Sequence, residues 1–295
     1  MTHCESLVDL RMDFIEQLLL LKGWFTRRDL MCRFDIKEAA ATRDIAKYRK
    51  LDEFGNNLVF NNSLRRYELK EDTFKPIYIK NITTIISNLK NSKMSNIIGF
   101  GSVGIESSPR ISEPNLNVIA PISRAIVNKN VITIRYFSIG SGSSGGVKTI
   151  APHSIFDSGS KLYVRCYCFK YEKFLELVVD RIIEVVEAIG DAKDSNLQCI
   201  DFCWNKFVNL EIKPHPKIEH PETIKHELKF DGETKVVSVR LALAQYWLQQ
   251  WNVDCSNDYQ LDPKQYHLAL VNLDVLSIDG CNGLLAPGFL VKDHN

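Results

Sequence analysis

Over residues 7–21 apolar side chains recur at three-to-four spacing: Leu7, Leu10, Phe14, Leu18 and Leu21. That period predicts an amphipathic helix with one face toward a core. Gly23 stops it. Thr26 is placed to cap a second, shorter helix over Arg27–Phe34. A third is predicted from about residue 37 to 51, with Ala40, Ile45, Tyr48 and Leu51 inward, broken by Gly55-Asn56-Asn57. The pattern then alternates. Leu58-Val59-Phe60, a turn at Asn61-Asn62-Ser63 and residues 64–69 predict a two-stranded hairpin. Helix, helix, helix, hairpin is the order of a winged helix-turn-helix, which places a DNA-binding domain at residues 1–73.

Residues 74–117 read as a helical linker: a helix over 79–89, then a stretch rich in Gly, Ser, Asn and Pro. A second domain, 118–192, opens with a short helix carrying Ile119, Ile122, Ala125 and Ile126, ended by Asn128-Lys129-Asn130. Strands are predicted at 131–137, 147–156, 161–169 and 173–180, with a flexible Gly/Ser loop at 138–146. Strands of this size after one helix predict a small open barrel. Residues 191–220 read as a connection, with Pro214, Pro216 and Pro221 opposing regular structure. Strands at 236–241 and 267–275 and a helix at 242–251 give the last segment, 193–295, an α+β character. The whole is an α+β multidomain chain.

Composition narrows this little. The chain has 295 residues, 45% hydrophobic and 25% charged, with net charge +1. No apolar run approaches the roughly 18 residues of a membrane span, and the start lacks a basic region before an apolar core. A cytoplasmic location without membrane contact is expected. Eight cysteines are scattered without a C-x-x-C pair, so they read as reduced thiols with no metal site. Cys166 and Cys168 should share one strand face.

Charge is informative only locally. Between Lys22 and Lys50 nine cations face four anions, a net +5 in 29 residues. That excess is what phosphate contacts require. The start of the third helix should face base edges, through Lys37, Ala40, Thr42 and Arg43, with Arg43 the candidate for guanine. Arg27, Arg28, Lys47 and the wing residues Arg65 and Arg66 should meet phosphates. Farther on, His153, Tyr163, Arg165 and Arg181 stand among apolar residues, which suggests a pocket for an anionic or nucleotide-like ligand. G-x-S-x-G, H-E-x-x-H and phosphate-loop patterns are absent, so neither an enzyme nor a bound cofactor is expected. The glycines at 99–104 lack a surrounding strand–helix unit.

Four short motifs carry a family resemblance. They are Ile134-Arg135-Tyr136, Ala151-Pro152-His153, Leu162-Tyr163-Val164 and Val179-Asp180-Arg181-Ile182. In this order they resemble a WYL domain, with only the tyrosine of the Trp-Tyr-Leu motif kept. With the winged helix before it and an extension after it, the chain resembles WYL transcriptional regulators, in particular the BrxR/CapW-type repressors beside bacterial phage-defence operons. The resemblance implies an Sm-like β-barrel and a ligand pocket at Tyr136, Ser138, His153, Tyr163, Arg165 and Arg181. It also implies dimerisation through the C-terminal segment, where Trp247 and Trp251 lie one helical turn apart. The expected function is a homodimeric repressor of a pseudo-palindromic double-stranded operator, gated by a nucleotide or nucleic-acid effector. Two alternatives stay open at this point: a single-strand- or RNA-binding module built on the barrel, and an enzyme acting on nucleotides.

Overall fold

Capping chemistry sets the first helix boundaries. In the computed structural model, which describes residues 6–51, 57–78, 111–112, 114–139, 145–278 and 284–290, α1 spans Leu7–Lys22 behind a Ser6/Asp9 capping box. It ends at Gly23 with φ 80°, a left-handed conformation that costs glycine little. The carboxylate of Asp29 accepts the Thr26 backbone N–H at 2.6 Å and its hydroxyl at 2.7 Å, which starts α2 (Arg27–Phe34). The chain divides into two compact units, Met1–Pro109 and Arg110–Asn295. The expected helix at 79–89 and most of the linker lie outside the described residues.

The first unit continues with α3 (Glu38–Leu51), β2 (Leu58–Asn61) and β3 (Arg66–Leu69). A two-residue strand, β1 (Trp24–Phe25), pairs with β3, so the hairpin becomes a three-stranded sheet, order β1-β3-β2. The buried face of α1 is rotated from the expected one. Met12, Phe14, Ile15, Leu18 and Leu19 are buried, whereas Leu7 is 72% exposed and Leu10 41%. On α3 the fully buried alanine is Ala41, and Ala40 is half-buried.

A polar node lies inside this unit. Glu16 on α1 is fully buried. Its carboxylate accepts the Tyr48 hydroxyl at 3.0 Å and the backbone N–H groups of Ile77 and Tyr78 at 2.7 Å each. Asn57 donates to the Tyr48 hydroxyl at 3.1 Å and brackets Lys75 through its backbone N–H and carbonyl. Arg11 grips Asp44 at 2.7 Å. Helix α3 is thereby held to α1 by two polar ties beneath its apolar contacts, and the chain leaving the wing is held to the same carboxylate.

The second unit begins with α4 (Leu116–Asn128), then β4 (Asn130–Tyr136), β5 (Gly146–Asp157), β6 (Leu162–Cys168), β7 (Lys173–Val178) and β8 (Ile182–Asp191). These form one antiparallel sheet, order β7-β6-β5-β4-β8, and α4 packs on it through Val118, Ile122 and Ala125. Cys166 and Cys168 share its buried face. The edges β7 and β8 are joined through the single turn Val179–Arg181. Flat, five strands would hold those edges about 19 Å apart, beyond the roughly 14 Å that four residue steps can span. The sheet must curl. No β7–β8 ladder closes it: the strand order leaves both as edges, so the curled sheet stays open.

Strand β8 shows how the curl is made. Its register against β4 shifts three times, skipping Ile183, Val186 and Ile189. Each is a bulged residue, and bulges bend a strand and increase its twist. The repeat is three residues long: Ile182, Val185 and Ala188 pair with β4, and the bulged residues stand exposed at 40%, 49% and 57%.

The C-terminal part of this unit contains α5 (Phe202–Asn205), β9 (Phe207–Pro214), α6 (Pro221–Glu227), β10 (Lys235–Arg240), α7 (Leu241–Gln250), β11 (Val253–Asp254) and β12 (Leu268–Leu270). The sheet order is β10-β9-β12-β11, with β11 and β12 parallel. Strand β9 is central, which corrects the reading of 191–220 as an irregular connection. It alternates cleanly, burying Val208, Leu210, Ile212 and Pro214, and Pro214 ends it. The predicted strand at 267–275 is cut to three residues by the turn Leu273–Ser277. Beneath the sheet, His215 donates from Nε2 to Asp254 at 3.1 Å, both side chains fully buried. The Nδ1 of that ring accepts the Lys217 backbone N–H, which assigns the proton to Nε2.

Glu16→Ala should destabilise the first unit by about 3 kcal/mol, because three donors lose their acceptor in the interior. A shift of the denaturant midpoint measures this. A change under about 0.5 kcal/mol would show that the node does not hold the unit together.

Candidate nucleic-acid interface and ligand cavity

Helix α3 separates its residues by side. Ala41, Asp44, Ile45 and Tyr48 are buried, and Thr42, Arg43, Ala46, Lys47, Arg49 and Lys50 are exposed. No ion-pair partner is found for Arg43, Lys47, Arg49 or Lys50 among the described residues. Three of the four anions between Lys22 and Lys50 are otherwise engaged. Asp44 is held by Arg11, Asp29 caps α2 and meets Lys22 at 3.4 Å, and Glu38 pairs with Arg27 at 2.7 Å. The helix thus presents an outward cationic face of the kind that meets a phosphate backbone.

The other predicted DNA contacts are placed unequally. Arg28 and Lys37 are exposed, and Arg65 is exposed in the turn before β3 at φ 48°. Arg27 shares its charge with Glu38. Arg66 pairs with Glu68 at 2.8 Å and lies 4.8 Å over the Trp24 ring, so it braces the wing rather than projecting from it. Ala40 is half-buried beside the exposed Thr42.

In the second unit, two of the residues expected to grip a ligand are tied inward. Arg165 is 3% exposed. Its Nε and one terminal nitrogen donate to the two oxygens of Asp201 at 2.7 and 2.8 Å, and the other terminal nitrogen donates to Glu176. His153 donates from Nε2 to the same Asp201 at 3.0 Å, with Phe174 and Trp204 at its edges. Asp201 also accepts the Trp204 backbone N–H at 3.2 Å, capping α5. One carboxylate therefore joins β5 and β6 to the first helix of the C-terminal part. Burial works to raise the Asp201 carboxyl. Hydrogen bonds from Arg165 and His153 outweigh it and hold the carboxyl well below the usual carboxylate range.

An open cavity of about 680 Å³ lies beside this cluster. Tyr136, Tyr163 and Arg181 line it, joined by Glu176, Val178, the turn Ser158-Gly159-Ser160-Lys161, and Gln249, Gln250 and Leu285. Ser138, His153 and Arg165 are not on its wall. Arg181 has no hydrogen-bond or ion-pair partner for its guanidinium among the described residues. The neighbouring acid Asp180 meets Ser112 instead, at 3.3 Å. The tyrosine rings are covered. Tyr163 stacks on Phe156 at 5.1 Å and 6° and meets Tyr246 at 4.8 Å, so neighbouring rings cover it. Tyr136 is 6% exposed, and its hydroxyl accepts the Val178 backbone N–H at 3.3 Å. Burial raises the Tyr163 hydroxyl above its ordinary value, more than Arg181 lowers it, so it is a neutral donor.

Three family models match in chain order. The BrxR transcriptional regulator winged helix-turn-helix domain matches residues 8–90, the WYL domain 117–187, and the BrxR transcriptional regulator C-terminal dimerization domain 207–276. The chain belongs to the BrxR family of WYL-domain transcriptional regulators. Among curated relatives, the DNA-binding transcriptional repressor CapW of Pseudomonas aeruginosa is 29% identical over 275 residues, covering 90% of this chain and 89% of its own. CapW of Escherichia coli (strain KTE188) is 28% identical over 274 residues, with the same coverage. Both are named as repressors rather than enzymes. A solved structure of PafBC from Arthrobacter aurescens aligns with 90% of this chain and 44% of its own, at 14% identity and TM-score 0.28.

Within this BrxR-family chain, sequence reasoning missed the residues that organise the cavity. Asp201, Glu176, Gln249 and Gln250 carry no motif. Asp201 had one local signal, a helix-capping acid just before Phe202–Asn205. Its bond to Arg165 spans 36 residues and had none. No helix among the described residues is long and apolar enough to cross a membrane, and no group of metal-ligating side chains is found among them.

Arg165→Ala should destabilise the second unit by about 3–5 kcal/mol, because two carboxylates stay buried without their cation. Because the folded Asp201 carboxyl is depressed, its contribution is present above the unfolded value of about 3.9 and is lost as pH falls through and below it. Acid denaturation of wild type and Asp201→Asn, followed by circular dichroism, tests this. The variant should be the less stable at neutral pH and show a flatter acid limb.

Proposed function

We propose that the chain is a homodimeric, sequence-specific DNA-binding transcriptional repressor that serves a phage-defence operon and acts in the cytoplasm. The observation that carries this is the outward face of α3, where Thr42, Arg43 and Lys47 stand exposed over a buried side tied to α1. A helix fixed from behind and cationic in front suits a major groove. Arg43 reads guanine through its two-pronged guanidinium, with Thr42 and Ala40 close to the groove floor. Lys37 faces base edges with them, Arg28, Lys47 and Arg65 contact phosphates, and Arg27 and Arg66 contribute after sharing their charge with Glu38 and Glu68. Two such heads in a dimer require a pseudo-palindromic operator. The match of the C-terminal part to a dimerization domain supports pairing there.

The cavity is the effector site. A nucleotide or nucleic-acid end binds through Arg181, and its occupancy shifts operator affinity. The path runs from Glu176 on the cavity wall through Arg165 to Asp201 and α5. The covered rings of Tyr136 and Tyr163 disfavour the alternative of a base-stacking platform for single strands.

The test uses duplexes from the region upstream of the gene, in anisotropy titrations across a salt series. Lys47→Ala should weaken all duplexes alike and reduce the salt slope by about 0.9. Arg43→Ala should cost about 1–3 kcal/mol on the preferred duplex and little on an unrelated one. If both variants bind as wild type does, α3 is not the reading helix. A monomer in sedimentation equilibrium would overturn the dimer.

A further inference from the structure

The effector cavity is walled from both sides of the second unit. One side is the curled sheet, with Arg181, Tyr163 and the turn Ser158-Gly159-Ser160-Lys161. The other is the last turn of α7, with Gln249 and Gln250. That helix buries Leu241, Ala244 and Leu248 in the C-terminal core, while both glutamine amides are exposed. The approach is close. A Cβ built on Gly159 would lie 3.1 Å from Gln250 Nε2, and the turn itself favours glycine there through its φ of +90°.

We propose that the effector site is composite, with Gln249 and Gln250 of the C-terminal part completing it. Bound effector then bridges the WYL sheet and the helix that belongs to the dimerisation domain. This rests on the effector reading above. The chemistry on the wall identifies the ligand class. Arg181 and Lys161 are cationic, Glu176 is occupied by Arg165, the serines and amides offer hydrogen bonds, and no tyrosine face is open. That wall fits a phosphomonoester on a polar body, and its volume lies within the range of about 300–1,000 Å³ usual for small-ligand sites. The Gln250 amide can donate to a phosphate oxygen and accept from a hydroxyl or amine. A mononucleotide and the 5′-phosphorylated end of an oligonucleotide share this group.

The experiment is isothermal titration of the full chain with inorganic phosphate, adenosine 5′-monophosphate, a 5′-phosphorylated dinucleotide and the same dinucleotide without that phosphate. Wild type should bind the phosphorylated probes at least roughly tenfold more tightly than the unphosphorylated one, and Arg181→Ala should lose that preference. The stronger of the two nucleotide probes tells a mononucleotide from a strand end. Gln250→Glu should weaken the phosphorylated probes by roughly tenfold, and Gln250→Lys should tighten them severalfold, one charge of each sign beside the phosphate. Opposite shifts at one position do not arise from misfolding. If Arg181→Ala loses binding while both Gln250 variants bind as wild type does, the composite site is wrong and the effector reading stands. If wild type binds none of the probes, or does not distinguish phosphorylated from unphosphorylated, the effector reading falls and the composite site with it.

Discussion

A buried ion cluster fixes the central sheet of the second unit against the C-terminal part that follows it. Arg165 sits in the middle of β6, where its guanidinium would be costly without partners. Asp201, from a segment that follows the sheet, accepts two of its hydrogen bonds, and Glu176 on β7 accepts one. The same Asp201 orients His153 and caps α5. Such a cluster adds little net stability over an apolar replacement, but it accepts only one arrangement. Its effect is positional. It determines where the C-terminal part sits against the sheet, and so which residues of α7 reach the cavity.

The same logic recurs in the winged helix. Glu16 and Asp44 are buried carboxylates whose partners come from different elements. They orient α3 from its inner side, and the burial of Asp44 takes an anion out of a segment rich in cations. The exposed surface of α3 is left with Arg43, Lys47, Arg49 and Lys50. Electrostatic asymmetry is thus made by folding: the segment is only moderately basic along the chain, and the face is strongly so.

The curl of the central sheet has a distinct cause. A regular strand at β8 would have left the sheet flatter and the edges too far apart for the turn Val179–Arg181. Three bulges, one every third residue, supply the bend at the cost of exposing Ile183, Val186 and Ile189. The turn brings Arg181 and the end of β7 beside Tyr136, and these form part of the cavity wall.

The sequence alone determined the elements whose signals are local. Apolar period, Thr26, Gly23 and the alternation around Asn61 located the winged-helix elements, because caps and turns act within a few residues. The order of short motifs around Tyr136, His153, Tyr163 and Arg181 located the WYL domain. Strand β8 was hidden because a three-residue repeat matches neither the strand nor the helix period, and β9 because prolines at its end masked a clean alternation. The phase of α1 was undetermined because residues 18–21 are all leucine and leave every face apolar. The roles of Arg165 and His153 were decided only in the folded chain. A guanidinium in a strand reads the same whether it faces a ligand or an internal acid, and the acid that captured it lies 36 residues away. Only tertiary packing brings the two within hydrogen-bond reach, and that contact leaves Arg181 and Lys161 as the cations on the cavity wall.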